Sequence, residues 1–515
     1  MKKLFIITYS LFIILAMMPI CMNAQERVMV IADPHVIEES VLKSESNYEE
    51  YMAKQRKMLD LSESIWNALV DTALKYKPAL VLIPGDLTRD GEASAHTLVS
   101  NSLKELQKAG IRSLVIPGNH DIPDANWETL YPDSYLNAIK DPNGSHSYTV
   151  EPLDGVTVIG IDGSKGNAGQ GELSDATFSW ILEQADAAVV KGNMIIAMCH
   201  WQLLEHFDQQ STLESSCRLK NADDIRNQLM HHGVHLVLTG HFHVNGITTF
   251  RDTTGVTNDS IVEITTGSPI TYPCPYRWLT FSKNRASVSV ETENITAVGS
   301  ITDLNTYSRE WMKEHTKNMI PSLALKAWGK IDNRWDSDVA PALQDLGFGN
   351  GTIKALKAML PSTDEERIAL VQKHLGEPAV NLYLFHSEAN ENEHPEKAKE
   401  LAQAVYDGME GMMKEVISIS SLAVVFAAYA RVYVEEPVQS LVGDTTHLKS
   451  KKYNDQTDDL HLTLTINKPR QITGIEDQMV NSQMTNDQLY DVMGRPVMQP
   501  VKGQLYIRNR KKILY

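Results

Sequence analysis

Short apolar runs alternate with amphipathic stretches along the first 295 residues of the chain. Stretches such as residues 62–76 and 93–109 have apolar positions at helical spacing, and the runs between them have the length of strands. Almost wholly apolar strands separated by helices are typical of a sheet that is covered on both faces, so the pattern predicts a layered α/β domain. The predicted strands are residues 28–31, 80–83, 114–116, 156–161, 194–198 and 234–238.

The pattern changes in the rest of the chain. Hairpin-like strands at 261–265 and 278–281 are expected to complete a second sheet, and residues 304–330, 364–375 and 395–434 have helical spacing. The apolar stretch 422–430 is too short to cross a bilayer and predicts a buried helix. A polar cluster could bind a metal ion, but its spacing matches no known ligand geometry, so we expect a solvated loop; its members are His386, Glu388, Glu391, Glu393 and His394.

Both ends of the chain have features of export. Two lysines, an apolar run at 11–18 and Ala24 predict a signal peptide over residues 1–24, with an uncleaved anchor as the alternative. Residues 461–466 alternate like a strand, 469–487 have the composition of a linker, and 488–515 regain strand-like alternation. This last segment resembles the C-terminal sorting tail of the type IX secretion pathway; the alternative is a terminal hairpin that docks. We therefore expect a periplasmic, surface-displayed or secreted protein, with the outer-membrane secretion machinery as a partner.

The resulting division of the chain is a signal peptide at 1–24, an α/β domain at 25–296, a helical domain at 297–440, a β segment and linker at 441–487 and the tail at 488–515. The formal net charge of −17 excludes the basic footprint of a dedicated nucleic-acid binder. An anionic substrate would need local positive charge, which bound metal ions could supply. Three cysteines follow the signal peptide, none at CxxC spacing, so a thiolate zinc site is not expected.

Polar residues follow five of the six apolar strands. Ligands gather beyond the carboxyl ends of strands in α/β sheets, so these side chains are expected to converge. In Asp33-x-His35 and His241-x-His243, residues two apart should point the same way from an extended backbone. One such residue alone is more often a turn or cap residue, but five groups in order predict a metal centre. The five groups are Asp33-Pro34-His35, Gly85-Asp86, Gly118-Asn119-His120-Asp121, His200 and Gly240-His241-Phe242-His243.

These five groups resemble the signature of the calcineurin-like metallophosphoesterase family over residues 25 to 295. The resemblance implies a four-layer αββα sandwich and a centre of two metal ions. It also implies that Asp33, His35 and His243 hold one ion, that Asn119, His200 and His241 hold the other, and that Asp86 bridges both. By the same resemblance, His120 is a catalytic histidine that does not bind metal.

The chemistry of such a centre follows from its charges. Two divalent ions outweigh the two carboxylates, so a net positive site remains for a phosphate ester, and a metal-bridging hydroxide can attack phosphorus in line. His120 would then protonate the leaving group as a general acid. The mixed nitrogen and oxygen ligands favour Mn, Fe or Zn over Mg or Ca.

Departures from the family pattern narrow the expectation. Arg89 stands where purple acid phosphatases have tyrosine and where protein phosphatases have the aspartate that orients the catalytic histidine, which leaves Asp90 and Asp121 as candidate partners of His120. The run 85–88 followed by Gly91 resembles the bacterial phosphodiesterase branch, so phosphodiesters are the expected substrates. The alternatives are a phospholipid or sphingomyelin head-group hydrolase and a catalytically silent binding protein. Candidate substrate contacts are Tyr276 and Arg277, with Trp201, His206, Asp208 and Tyr272 as weaker ones.

Overall fold

The structure is a computed structural model. It describes residues 26–123, 125–166, 169–207, 210–252, 259–345, 347–417, 438–439, 453–455, 458–466, 489–491, 496–497, 505–508 and 511–514. The predicted signal peptide, the stretch 422–430 and the linker 469–487 lie outside these residues. No helix of the described part of the chain is long and apolar enough to span a membrane.

Two sheets form the centre of the fold. The strands are β1 (Arg27–Val30), β2 (Leu80–Pro84), β3 (Arg112–Ile116), β4 (Ile139–Lys140), β5 (Tyr148–Leu153), β6 (Val156–Ile161), β7 (Met194–Cys199), β8 (Leu236–Thr239), β9 (Gly246–Arg251), β10 (Ser260–Thr265), β11 (Pro275–Phe281), β12 (Ser287–Asn294), β13 (Tyr453–Asp455) and β14 (His461–Thr465). The first sheet has the order β14-β12-β11-β1-β2-β3, and the second has the order β13-β9-β10-β8-β7-β6-β5-β4. In the first, β1, β2 and β3 are parallel, and in the second β6, β7, β8 and β10 are parallel.

Alternate residues of the central strands point to opposite faces of each sheet. On β1, Val28 and Val30 lie between the two sheets, and Met29 and Ile31 face the helices outside. The second sheet is built in the same way, with Met194 and Ile196 of β7 inside and Ile195 and Ala197 outside. Both faces of the central strands are buried, which is why β2, β7 and β8 are almost wholly apolar.

Helices cover the outer faces of the two sheets. They are α1 (Glu39–Lys43), α2 (Tyr48–Met52), α3 (Ser62–Tyr76), α4 (Ala93–Lys108), α5 (Trp127–Leu130), α6 (Pro132–Tyr135), α7 (Asp175–Lys191), α8 (Gln210–Leu213) and α9 (Ala222–His231). The α3 and α4 helices pack on the first sheet, and α7 and α9 pack on the second. The predicted four-layer αββα architecture is therefore confirmed.

A helical region follows the sandwich. Its helices are α10 (Leu304–Arg334), α11 (Ala340–Asp345), α12 (Asn350–Met359), α13 (Asp364–Glu388) and α14 (Pro395–Val416). A capping box between Thr363 and Glu366 defines the start of α13. The region has its own core around Trp328 and Trp335, and a second cluster joins it to Tyr272 of the sandwich. The predicted helices at 304–330 and 364–375 are present and extend further, to Arg334 and Glu388.

The polar cluster near residue 390 differs from the expected solvated loop. Glu391 is 4% exposed and accepts a hydrogen bond from His386 at 3.1 Å, and Glu388 accepts one from Tyr272. Glu391 is buried and His386 and Glu388 are partly buried because α13 ends against the sandwich, which the local spacing does not show. Glu393 and His394 are exposed, as expected.

Two strands that follow the helical region in the sequence complete the sandwich. β13 pairs with β9 at the edge of the second sheet, and β14 pairs with β12 at the edge of the first. The strand predicted at 461–466 is present as β14, and it forms an edge of the first sheet. Its short alternating pattern predicts a strand but does not identify the sheet edge with which it pairs.

The end of the chain forms a small antiparallel sheet of its own. Its strands are β15 (Leu489–Asp491), β16 (Pro496–Val497), β17 (Leu505–Arg508) and β18 (Lys511–Leu514), in the order β16-β15-β17-β18. A small β module was expected there. Export and the sorting role of this segment stay predictions from the sequence.

Replacement of Leu464 tests whether β14 is part of the sandwich core. Its side chain is 5% exposed and packs between the sheets, so Leu464→Ala should lower the free energy of unfolding by about 2–5 kcal/mol. Thr465→Ala, on the exposed face of the same strand, should change it by no more than about 0.5 kcal/mol. Denaturant unfolding of both variants measures the difference, and equal stability would contradict this placement of the strand.

Candidate metal centre

The carboxyl ends of β1, β2, β3, β7 and β8 meet along one edge of the sandwich. The loops after these strands contain the polar residues that the sequence pattern identified. The side chains of Asp33, His35 and His200 are fully buried there, and Asp86 is 1% exposed. Two groups of side chains lie close enough to hold a metal ion: Asp33, His35, Asp86 and His243 in one, and Asp86, His200 and His241 in the other. Asp86 belongs to both groups.

The backbone at these residues corrects one expectation. Asp33, His35, His241 and His243 were expected on extended backbone, but their φ angles are 53°, 41°, 66° and 63°, in the left-handed region. Asp86 has the same conformation, with φ of 52°. Residues other than glycine rarely adopt it, and each costs about 1–2 kcal/mol. The chain turns at these five positions instead of continuing straight, and this turning brings side chains from separate loops together.

Backbone hydrogen bonds hold the strained loops in place. The amide of Asp33 donates to the carbonyl of Gly85 at 3.2 Å, and the amide of His35 donates to the carbonyl of Asp86 at 2.9 Å. The amide of His241 donates to both carboxylate oxygens of Asp33, at 2.9 and 3.0 Å. Each loop is thereby fixed to its neighbour, so the left-handed residues are held by the fold and not by their own preference.

Nitrogen and oxygen atoms converge within the first group. His35 Nε2 lies 3.1 Å from His243 Nε2 and 3.6 Å from Asp86 Oδ2. His243 Nε2 lies 3.4 Å from Asp33 Oδ1. Two ligands of one ion, each about 2.1 Å from it, are about 3.0–3.4 Å apart at octahedral or tetrahedral angles. The observed separations suit a shared cation.

The second group has the same spacing. His200 Nε2 lies 3.0 Å from His241 Nδ1, 3.3 Å from Asp86 Oδ2 and 3.2 Å from the amide oxygen of Asn119. His200 Nδ1 lies 2.8 Å from the carbonyl of Pro84 and donates to it, which leaves Nε2 free to bind metal. All seven predicted ligands are therefore brought together, and their mixed nitrogen and oxygen donors suit metal ions.

Glycine is required where the ligands come closest to the backbone. A Cβ atom added to Gly118 would overlap the Asp86 carboxylate, and one added to Gly240 would overlap the Asp33 carboxylate. The glycines of the Gly-Asn-His-Asp and Gly-His-x-His motifs therefore make room for the carboxylates of other motifs.

The buried charges shift one another's pKa values. Burial acts to lower the pKa of His200, but Asp86 and Asp33 outweigh it and raise the pKa to about 9. Burial acts to raise the pKa of Asp86, but His200 and His35 hold it well below its usual range. Burial lowers the pKa values of His35, His241 and His243, so these three imidazoles are neutral and ready to bind metal.

His120 lies beside both groups but is a member of neither. Its ring contacts that of His35 at a centroid distance of 4.8 Å, and its backbone amide donates to Asp86 Oδ1 at 2.8 Å. Its Nδ1 lies 2.7 Å from Asp90 Oδ1. Burial acts to raise the pKa of Asp90, but the hydrogen bond and charge of His120 lower it overall. Of the two carboxylates considered as its partner, Asp90 is the one that orients this ring.

Asp121 has a different role. Its buried carboxylate accepts hydrogen bonds from the amide and hydroxyl of Thr88 at 2.9 and 3.1 Å, and from the amide of Gly118 at 2.8 Å. Burial raises its pKa. Asp121 thus joins the loop that contains Asp86 to the loop that contains Asn119, and it fixes the spacing between them.

The candidate substrate contacts are engaged elsewhere. Arg277 is fully buried and donates to the backbone carbonyls of Asp459 and Thr265. Asp459 belongs to the segment just before β14, which lies over this arginine. The Tyr276 hydroxyl donates to Glu293, and the fully buried Trp201 donates to the carbonyl of Gly169. Tyr272 donates to Glu388 of the helical region, and Asp208 lies outside the described residues.

A buried carboxylate behind the centre was missed by the sequence analysis. Glu263 is fully buried and accepts hydrogen bonds from the amides of Leu203 and Leu204 at 2.7 and 3.1 Å. Its other oxygen lies 2.8 Å from His206 Nε2, so His206 supports the loop and does not face a substrate. The only local signal was one glutamate inside an apolar strand.

Comparison with known proteins agrees with this geometry. Residues 26–245 match the family model named calcineurin-like phosphoesterase. This part of the chain is similar to that family. The matched segment includes all five strand-end motifs, and with them the Asp and His residues of the two groups that could hold a metal ion.

Individual relatives are distant. A probable glycerophosphodiester phosphodiesterase of Arcobacter nitrofigilis is 27% identical over 157 residues, which are 30% of this chain and 54% of the relative. The chain thus matches about half the length of that protein. The crystal structure of a dimetal phosphatase from Danio rerio is 14% identical, with a TM-score of 0.37 over 52% of this chain and 96% of that one.

The pKa values predict different pH dependence for the two metal positions. His200 must lose a proton to bind metal, so the affinity of its position should rise about tenfold per pH unit from about pH 6 to pH 8, below its pKa of about 9. The metal affinity at the position of His35 and His243 should change little over this pH range, because both imidazoles are already neutral. Calorimetric titration with Zn²⁺ measures both steps.

His200→Asn is the control, because an amide oxygen can bind metal without losing a proton. The steep pH dependence should vanish in this variant. Two equally steep binding steps in the parent chain would contradict the assignment.

Proposed function

We propose that the chain hydrolyses phosphate esters, with phosphodiesters as the preferred substrates, at a centre of two divalent metal ions. Asp33, His35 and His243 would hold one ion, Asn119, His200 and His241 the other, and Asp86 would bridge them. When bound, the ions would supply positive charge for the phosphoryl oxygens and activate water for attack on phosphorus. The diester preference is supported by the relative named as a probable glycerophosphodiester phosphodiesterase.

The observation that carries this proposal is the pair formed by His120 and Asp90. His120 is beside the ligand cluster, its side chain is 30% exposed, and Asp90 fixes its Nδ1. The carboxylate stabilises the protonated ring, so the opposite nitrogen, Nε2, can deliver a proton to a departing alkoxide. A protein that only binds phosphate esters would not need this pair, which disfavours the catalytically silent alternative.

Substrate class can be decided directly. The metal-loaded protein should hydrolyse aryl and alkyl phosphodiesters faster than phosphate monoesters. Equal or faster release of phosphocholine from phospholipid or sphingomyelin would favour the head-group alternative. Binding of all these esters without hydrolysis would favour a silent binding protein.

The role of His120 predicts a dependence on the leaving group. General acid catalysis contributes about 10²–10⁴-fold, and mainly when the leaving group is basic. His120→Ala should therefore lose far more rate on alkyl diesters than on a bis-nitrophenyl diester, and metal analysis should still find both ions. Equal loss on the two ester classes would instead assign His120 to phosphate positioning.

Two further variants separate the neighbouring carboxylates. Asp90→Asn should reproduce the selective loss on alkyl esters, because it weakens the support of the protonated ring. Asp121→Asn should lower stability and metal content without that selectivity, because the Asp121 carboxylate joins two ligand loops. Selectivity in Asp121→Asn and not in Asp90→Asn would reverse the assignment.

A further inference from the structure

Residues 53–58 form a connecting segment between α2 and the helices that cover the first sheet. At its end, Met58 is fully buried, and its amide donates to the carbonyl of Ile270 at 2.8 Å. Ile270 follows the strand β10, close to Ser268, whose hydroxyl donates to the carbonyl of Asp33 at 2.7 Å. The segment is therefore tied to the same loops that carry the metal ligands.

The helical region holds the other side of this segment. Trp311 donates from its indole nitrogen to the carbonyl of Gln55 at 3.2 Å, and Asn318 donates from its side chain to the carbonyl of Ala53 at 2.9 Å. The guanidinium group of Arg56 lies 4.7 Å from the ring centre of Tyr383. Contacts on both sides hold residues 53–58 between the helical region and the loops of the centre, so the backbone that carries the Lys57 side chain is fixed there.

The ammonium group of Lys57 acts on the metal-ligand cluster. Burial and the charge of Lys57 lower the pKa of His35, against the opposing effect of Asp86, whose carboxylate lies 3.6 Å from Nε2. Lys57 also lowers the pKa of His243. Burial lowers the pKa of Lys57 itself, and the carboxylates of Asp86, Asp90 and Asp33 oppose that shift.

Lys57 differs from the lysines near it in the chain. Lys43 pairs with Glu39 of its own helix, and Lys54 pairs with Glu50 of the preceding helix, α2. In the part of the chain that the structure describes, Lys57 has no hydrogen bond or ion pair, although it is partly buried. A partly buried ammonium group without a direct partner is unfavourable, so its position calls for an anion that the protein itself does not provide.

The charge balance of the centre indicates which anion. Two divalent ions would outweigh the carboxylates of Asp33 and Asp86, and the site would then repel a lysine unless an anionic ligand were bound between them. A phosphoryl group has non-bridging oxygens that accept charge-assisted hydrogen bonds from an ammonium group. We propose that Lys57 binds a non-bridging oxygen of the substrate's phosphoryl group from the side of the helical region.

This inference rests on the proposed function, but it can be tested without turnover. Inorganic phosphate is the probe, and its affinity for the metal-loaded full-length protein is measured by calorimetry. Loss of a charge-assisted hydrogen bond should weaken phosphate binding about 10- to 100-fold in Lys57→Met, with metal content and melting temperature unchanged. Lys57→Arg, which keeps the charge, should recover most of the affinity.

Lys54→Met is the matched control, because it removes one positive charge from the neighbouring helix end, where Lys54 is paired with Glu50. It should leave phosphate binding unchanged. Lys57→Gln serves as a second variant if the methionine disturbs folding.

Two results would overturn the inference. One is unchanged phosphate affinity in Lys57→Met and Lys57→Gln with both ions present. The other is loss of metal from these variants, which would show that Lys57 acts on the ligands and not on the substrate. Failure of the proposed function would look different, because the parent chain would then bind phosphate through Lys57 and hydrolyse no ester.

Discussion

The whole site depends on one shared carboxylate. Asp86 follows β2, which lies between β1 and β3 in the first sheet, and it is the residue common to the two groups that can hold a metal ion. His35 approaches it from one side and His200 from the other, with 3.6 Å and 3.3 Å between the nearest atoms. This arrangement requires loops from both sheets to reach the same point, which two packed sheets with their carboxyl ends on one edge make possible.

The protein holds this arrangement at a cost in stability. Five ligand residues have left-handed backbone, and the two carboxylates are buried among imidazoles. Buried charges and strained backbone persist only where surrounding contacts stabilise them. Here those contacts are the backbone hydrogen bonds between the loops and the hydrogen bonds that the Asp121 carboxylate accepts from two of the loops. The raised pKa of His200 has the same origin, the negative charge of two buried carboxylates. A proton on His200 offsets part of the charge that metal ions would neutralise.

The features that the sequence predicted correctly have a common physical basis. Apolar strands followed by polar residues define where a sheet edge lies, so the cluster and the layered fold could be inferred from the order of residues alone. The backbone conformation of Asp33 and His35 could not be inferred in this way, because alternation describes extended chains and these residues have left-handed backbone. The partner of His120 was ambiguous because Asp90 and Asp121 are equally polar, and only their burial and hydrogen bonds separate them. The role of the segment with Lys57 depends on contacts from helices more than 250 residues away, which no local pattern contains.

The metal content of two variants tests the central claim most directly. Elemental analysis of the purified protein should find two ions in the parent chain, about one in Asp33→Ala and fewer than one in Asp86→Ala, because only Asp86 contributes to both positions. Both variants should fold, as judged by circular dichroism, so that lost metal reports on the ligands and not on unfolding. Two ions retained by a folded Asp86→Ala protein would contradict the shared carboxylate and with it the dinuclear centre.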